Sequence, residues 1–220
     1  MKKHTITAAP ATGQAAYVAN GFVGLRVGIN PFLGQTALLN GFTGSHERFG
    51  VEAYAPVPAA MIDISMDGGS LLRRPEGFDL IEQSYDFSCG ELATSFSFAN
   101  ARGQALTGTI VLFCSRSSPS LVIQELRAEV KQPCDLAFSV LVDPTRLPIA
   151  TRLTVPRNAD CDGALWVEGR GGSSTAGIAA YLSCEGEGEG DFREIDAASG
   201  YEQERIARAC ALRAIPGRQY

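Results

Sequence analysis

The sequence predicts an all-β fold, an antiparallel sandwich of many short strands. Three observations carry that expectation. Apolar and polar residues alternate with period two, the pattern of half-buried strands; Leu92, Thr94, Phe96 and Phe98, for instance, alternate with Ala93, Ser95, Ser97 and Ala99. Turn-forming clusters interrupt these runs at spacings of roughly 8–12 residues, as in a sandwich or barrel. Two Asn-Gly pairs, Asn20-Gly21 and Asn40-Gly41, sit beside β-branched and aromatic residues, and Asn-Gly tolerates the positive φ that both central positions of a tight hairpin require.

Taken in order, residues 1–16 are rich in Ala and Thr and read as a leader or edge strand, followed by a single domain over 17–220. Gly24 and Gly28 flank the short run Leu25-Arg26-Val27, and glycine in a strand pattern marks a bulge, a bend or a close backbone contact. The stretch 20–68 thus reads as strand, tight turn, strand, polar loop, strand. A polar connector over 71–77 leads to Ile81, Gln83, Tyr85 and Phe87, which alternate with polar or small residues. Ser88-Cys89-Gly90 turns the chain into the run over 92–98, and Asn100-Ala101-Arg102-Gly103 turns it into a strand over 106–113. A strand over 121–130 directs Leu126, Ala128 and Val130 away from Arg127, Glu129 and Lys131. Cys134, Leu136, Phe138, Val140 and Val142 form the next face.

Asp143-Pro144-Thr145-Arg146-Leu147-Pro148 breaks the pattern, and 149–164 reads as loop. Strands are expected over 164–168 and 175–182. The acidic Glu/Gly run over 185–190 reads as a solvated loop, because nothing rigid would hold its carboxylates on a cation. The segment 201–214 favours helix by propensity, yet its apolar residues also fit a strand. Pro216-Gly217 is a turn signal, and a turn implies a partner strand that Arg218-Gln219-Tyr220 would begin. An unpaired edge near 208–214 is the corollary, with self-association as its expected result.

The chain has 220 residues, 45% hydrophobic and 20% charged, an ordinary globular composition. It is long enough to bury roughly 70–75% of its unfolded surface without disulfide staples. A net charge of −5 and a pI near 5.1 argue against nucleic acid and anionic membranes as partners. No apolar run reaches the length of a membrane span, and the N-terminus lacks the apolar segment of a signal peptide, so a cytoplasmic location is expected. The six cysteines include no Cys-x-x-Cys pair. They are expected to be unpaired thiols in a reducing compartment rather than a disulfide framework or a zinc site.

The order Asn20-Gly21-Phe22-Val23-Gly24-Leu25-Arg26, then Asn40-Gly41-Phe42 with the loop His46-Glu47-Arg48, then Pro56-Val57-Pro58 before a strand ending in Asp67-Gly68 resembles the N-terminal domain of glycoside hydrolase family 65. That family holds the inverting disaccharide phosphorylases of maltose, trehalose and kojibiose, with related α-glucoside hydrolases. The resemblance runs over 20–148 and more loosely to 220. It implies a super-sandwich of the galactose mutarotase-like type and favours strand over helix for 201–214. It places the general acid and the phosphate-binding residues in a separate (α/α)6 barrel, and no part of this period-two sequence reads as that barrel. The implied partners are an α-glucoside sugar, the catalytic barrel of the same or a partner polypeptide, and a second copy in a homo-oligomer. The implied domain lacks its last strands and the barrel, and is expected to be inactive alone.

Glycoside chemistry needs two carboxyls across the scissile bond, or one acid with bound phosphate. Glu47, Glu52, Asp63, Asp67, Glu76 and Asp79 fall in no informative motif, so no catalytic residue is assigned. His46, Arg48 and Trp166 are the candidate carbohydrate contacts. Their competing readings are a solvated loop for the first two and a packing indole for the third. Arg26 is expected to pair across strands with a carboxylate such as Asp63, since a half-buried Arg needs a partner. Phe22 and Phe42 are expected to plug the core beside their turns. No Gly-x-Gly-x-x-Gly, P-loop or Gly-x-Ser-x-Gly elbow occurs, so no cofactor is expected and no metal ligands are assigned. Two other readings are a stand-alone carbohydrate-binding module, which would display coplanar aromatics, and an assembly domain, which would expose a large apolar patch.

Overall fold

A computed structural model describes residues 5–8, 15–33, 36–45, 52–142, 150–152, 163–168, 174–184, 193–195 and 206–220. The strands are β1 (Thr5–Ala8), β2 (Ala16–Ala19), β3 (Val23–Val27), β4 (Thr36–Ser45), β5 (Glu52–Pro58), β6 (Ala60–Met66), β7 (Gly69–Ser70), β8 (Phe78–Asp86), β9 (Glu91–Ala99), β10 (Ala105–Cys114), β11 (Val122–Val130), β12 (Cys134–Val142), β13 (Ala150–Arg152), β14 (Gly163–Glu168), β15 (Thr175–Ala180), β16 (Arg193–Ile195) and β17 (Ile206–Ala214). Among the described residues the only helical element is a 3-10 turn at Pro75–Gly77. The all-β expectation therefore holds.

Among the described residues all strand pairs are antiparallel and fall into four sheets, ordered β1-β8-β9-β10-β11, β16-β17-β12-β6-β7, β2-β3-β4-β5 and β13-β14-β15. The first sheet backs two cores. Toward β6, β12 and β17 it presents Phe96, Phe98, Leu106, Ile110, Ala128 and Val130, which meet Ile64, Met66, Leu136, Phe138 and Leu212. Toward β2 to β5 it presents Leu92, Leu112 and Cys114, which meet Val18, Leu25, Val27, Phe42 and Val57. Alternation puts one residue in two on the core side, and both cores follow from it.

Amide side chains stitch the layers where backbone ladders cannot reach. Gln83 is buried and donates to the Gly28 carbonyl at 3.2 Å and to Thr94 Oγ1 at 3.0 Å. Asn20 donates to the carbonyls of Ser115 and Pro119, Asn100 to that of Met66, and Gln124 to that of Ala60.

Several expectations are corrected. Phe42 is buried, but Phe22 is 42% exposed. Asn20 Oδ1 accepts from the N–H groups of both Phe22 and Val23, and this turn hands the inward position to Val23. Asn40-Gly41 makes no hairpin; it lies inside β4 at a bulge between Leu38 and Thr43, with Gly41 at φ 83°. A second bulge, at Ile81 between Leu80 and Glu82, switches the inward side of β8 from Phe78 and Leu80 to Gln83 and Tyr85; Ile81 is exposed at the bulge and Phe87 in the turn after the strand, while Gln83 is buried. Arg26 faces outward opposite Tyr17, whereas Asp63 is buried in another sheet and takes Ser70 and Leu72 as donors. Residues 150–152, expected as loop, form β13 against β14.

The C-terminal region differs most. β17 is a strand, paired with β12 along its length and with β16 over Ala209 to Ala211, so its expected bare edge is covered there. The turn at Pro216-Gly217 does not fold back on β17; it crosses to the other layer, where Tyr220 meets Ala128. The expectation of six free thiols is overturned by a disulfide between Cys184 and Cys210. The segment after β15 and the middle of β17 converge on one cluster of apolar residues, which brings the two sulfurs together.

Candidate functional site

The residues singled out in the sequence are not gathered into one place. His46 and Arg48 lie outside the described residues, as does Glu47. Trp166 is placed on β14, the central strand of its sheet, opposite Arg152 on β13 and Gly177 on β15. No group of three or more His, Cys, Asp or Glu among the described residues could hold a metal ion.

The carboxylates serve the fold. Asp63 Oδ2 accepts from Ser70 Oγ at 2.6 Å and Oδ1 from the Leu72 N–H at 3.0 Å, with the residue 1% exposed. Asp67 sits in the β6–β7 turn at φ 46°. Its Oδ1 accepts from the Asp135 N–H at 2.7 Å and its Oδ2 from Gln104 Nε2. These bonds, the Asp135 N–H first, hold its carboxyl below the ordinary value, because donors favour the charged form. Glu76 is likewise lowered, by its own backbone N–H and then by Arg74 at 3.0 Å. Asp79 lies on the exposed side of β8.

One cleft of about 80 Å³ opens where β11 faces β6 and β12. β6 supplies Ile62, β12 Phe138, and β11 Gln124 and Leu126; Leu182, Ser183 and Cys184 follow β15, and Tyr220 completes the lining. Gln124 Nε2 donates to the Ala60 carbonyl at 2.8 Å, while its Oε1 is buried without a donor among the described residues. The Cys184 sulfur is tied up in the disulfide. The cleft can hold an apolar side chain and one hydrogen-bond donor; none of its lining side chains is a carboxylate, an imidazole or a free thiol. Sequence reading missed it, although the alternation of 122–130 places Gln124 on the same side as Leu126 and Ala128.

A different surface is exposed on the four-stranded sheet. Tyr17, Leu38 and Tyr54 are 66%, 47% and 62% exposed on its outer side, with Arg26 beside Tyr17. Tyr17 and Tyr54 stand on its two edge strands, three spacings of about 4.8 Å apart. They do not form one adjacent pair of sugar-stacking rings.

No protein-family model matches the chain, and no curated protein matches it. Among solved structures the chain is similar to one described as "Putative kojibiose phosphorylase from human microbiome", with a TM-score of 0.65 and 11% sequence identity. The likeness covers 99% of this chain and 31% of that one. The chain shares its fold with part of that protein. It spans about a third of that protein's length, 31%. Among the described residues no helix is long and apolar enough to cross a membrane.

Proposed function

We propose that the chain is the N-terminal non-catalytic β-sandwich domain of a family 65-like glycoside phosphorylase or hydrolase acting on α-glucosides. The chemistry belongs to an (α/α)6 barrel against which the domain packs. The observation that carries this reading is the unequal coverage: nearly the whole chain matches the fold of only 31% of a much longer phosphorylase chain. Asp63, Asp67 and Glu76 support it, since each is engaged by donors of its own fold. The outer side of the four-stranded sheet, with Tyr17, Leu38 and Tyr54, suits contact with the barrel or a second copy, and His46, Arg48 and Trp166 remain the proposed sugar contacts.

The test is turnover by the pure 220-residue chain, with maltose, kojibiose and trehalose offered with and without phosphate. No release of glucose or glucose 1-phosphate is expected; turnover of any of the three overturns the reading. Translation of the coding sequence past codon 220 is the second arm. An all-helical region of barrel length is expected there, and a stop codon would sink the proposal.

A further inference from the structure

β15 is seated on the rest of the molecule mainly by small side chains and one covalent bond. Among the described residues its sheet, β13-β14-β15, shares no backbone ladder with the other three. Alternation continues past the end of the strand. Ala176, Ile178, Ala180, Leu182 and Cys184 turn inward, while Thr175, Gly177, Ala179, Tyr181 and Ser183 are exposed. Two of the five inward residues are alanines, whose methyl groups bury little apolar area. Just before β15, Ser174 Oγ meets the Thr43 N–H and Oγ1, both at 3.3 Å. Beyond its far end stands the bridge from Cys184 to Cys210. The two cysteines are held differently. Cys210 lies within β17, laddered to Phe138 on β12 and to Glu194 on β16. Cys184 lies outside any strand, partly exposed, at the border of the open cleft with Ile62, Leu126, Phe138 and Leu182. Breaking the bond therefore leaves Cys210 in place, and the Cys184 side is the one able to move.

We propose that Cys184–Cys210 is a reversible redox latch. Closed, it seats the segment 182–184 against the cleft. Opened by a dithiol reductant, it releases that segment with the end of β15, and the cleft widens over Ile62, Leu126 and Phe138. A bridge that a thiolate can reach is the exchangeable kind, and the cleft gives access to the Cys184 sulfur. One thiolate of the dithiol attacks Cys184 Sγ, the bond between the two cysteines breaks, and Cys210 leaves as a thiolate that takes up a proton. The second thiol of the reductant then attacks the mixed disulfide and releases Cys184 as a thiol. Two electrons pass to the bridge, and the dithiol departs as its own disulfide. The inference stands independently of the sugar chemistry proposed above.

The test treats the 220-residue chain with dithiothreitol at neutral pH without denaturant, then with iodoacetamide. Peptide mapping should find Cys184 and Cys210 alkylated while buried Cys114 and Cys134 are spared, which reports that the fold is kept. Amide exchange read by mass spectrometry should quicken by about tenfold or more over 175–184 on reduction, as local opening does. Exchange over 92–112 should not change, and removal of dithiothreitol with addition of oxidised glutathione should restore the slow rate. Cys184→Ser should exchange fast without any reductant; if that variant does not fold, the reduced wild-type chain carries the test alone. Alkylation that needs denaturant overturns the proposal, because the bridge is then a closed structural one. Unchanged exchange over 175–184 also overturns it, because the bond then holds nothing in place. So does a rise of equal size over 92–112, the mark of a general loss of stability.

Discussion

Phe32 has the burial that Phe22 was expected to have. It lies outside every alternating run, after Asn30-Pro31, and is fully buried. Asn30 Oδ1 accepts from its N–H at 3.0 Å, and the resulting turn points the ring at Phe96 and Phe78, edge-on at 5.0 and 6.2 Å. Such a side chain is invisible to a period-two reading, because a loop, not a strand, delivers it. Replacing Phe32 with Ala should cost about 3–5 kcal/mol, while Phe22→Ala should stay within about 0.5 kcal/mol; urea midpoints of the two variants check this, and equal losses would refute it. Cys114 and Cys134 are pushed up to about 11, in both cases chiefly by burial, so they stay protonated at neutral pH. The thiolate is the reactive form. Exposed Cys89 should therefore be alkylated by iodoacetamide in the native protein well before either of them, as peptide mapping would show.

Strands were legible where alternation ran without interruption and illegible where a bulge reset it. Leu92, Phe96 and Phe98 on β9, and Ala128 and Val130 on β11, are buried as the pattern demands. β8 is not, because the bulge at Leu80/Glu82 leaves Ile81 out and turns the inward set from Phe78 and Leu80 to Gln83 and Tyr85, and sequence periodicity carries no mark of where a residue is skipped. Asn40-Gly41 shows the same limit, since a pair suited to positive φ serves a bulge as well as a hairpin. The candidate cleft was less legible still: its lining comes from β6, β11, β12, the segment after β15 and Tyr220, and only the pairing of elements distant in sequence assembles it. The same convergence forms the Cys184–Cys210 bridge. Thiol titration of denatured, unreduced protein should find two fewer thiols than after reduction, and a non-reducing digest should yield the linked peptides. That result would favour an oxidising compartment over the expected cytoplasm. A full count of free thiols would show that the two sulfurs approach without bonding.

At the scale of the molecule, the two layers are joined at one end by a polar clamp centred on Asp67. Its carboxylate takes donors from Gln104, beside the β9–β10 turn, and from Asp135 at the start of β12. Asn100 adds a bond to the Met66 carbonyl at 3.0 Å and one to Gln104 Oε1 at 2.6 Å. Asp67 itself is held by its N–H, which donates to the Asp135 carbonyl at 2.8 Å. The Asp67→Asn variant removes the charge and one of the two side-chain acceptors without straining the backbone, because Asn tolerates the positive φ of this position and keeps that backbone bond. The folded carboxyl titrates below its ordinary value of 3.8, so its contribution is complete above that value. It drains away as the pH falls through the lower folded value, where folded and unfolded states come to bind the same proton. Wild type should therefore be the more stable protein at pH 7. Its advantage over Asp67→Asn should shrink steadily below about pH 4, while the two urea curves keep the same slope. Parallel loss of stability in both proteins over that range would place the acid sensitivity in other carboxylates and remove Asp67 from the clamp.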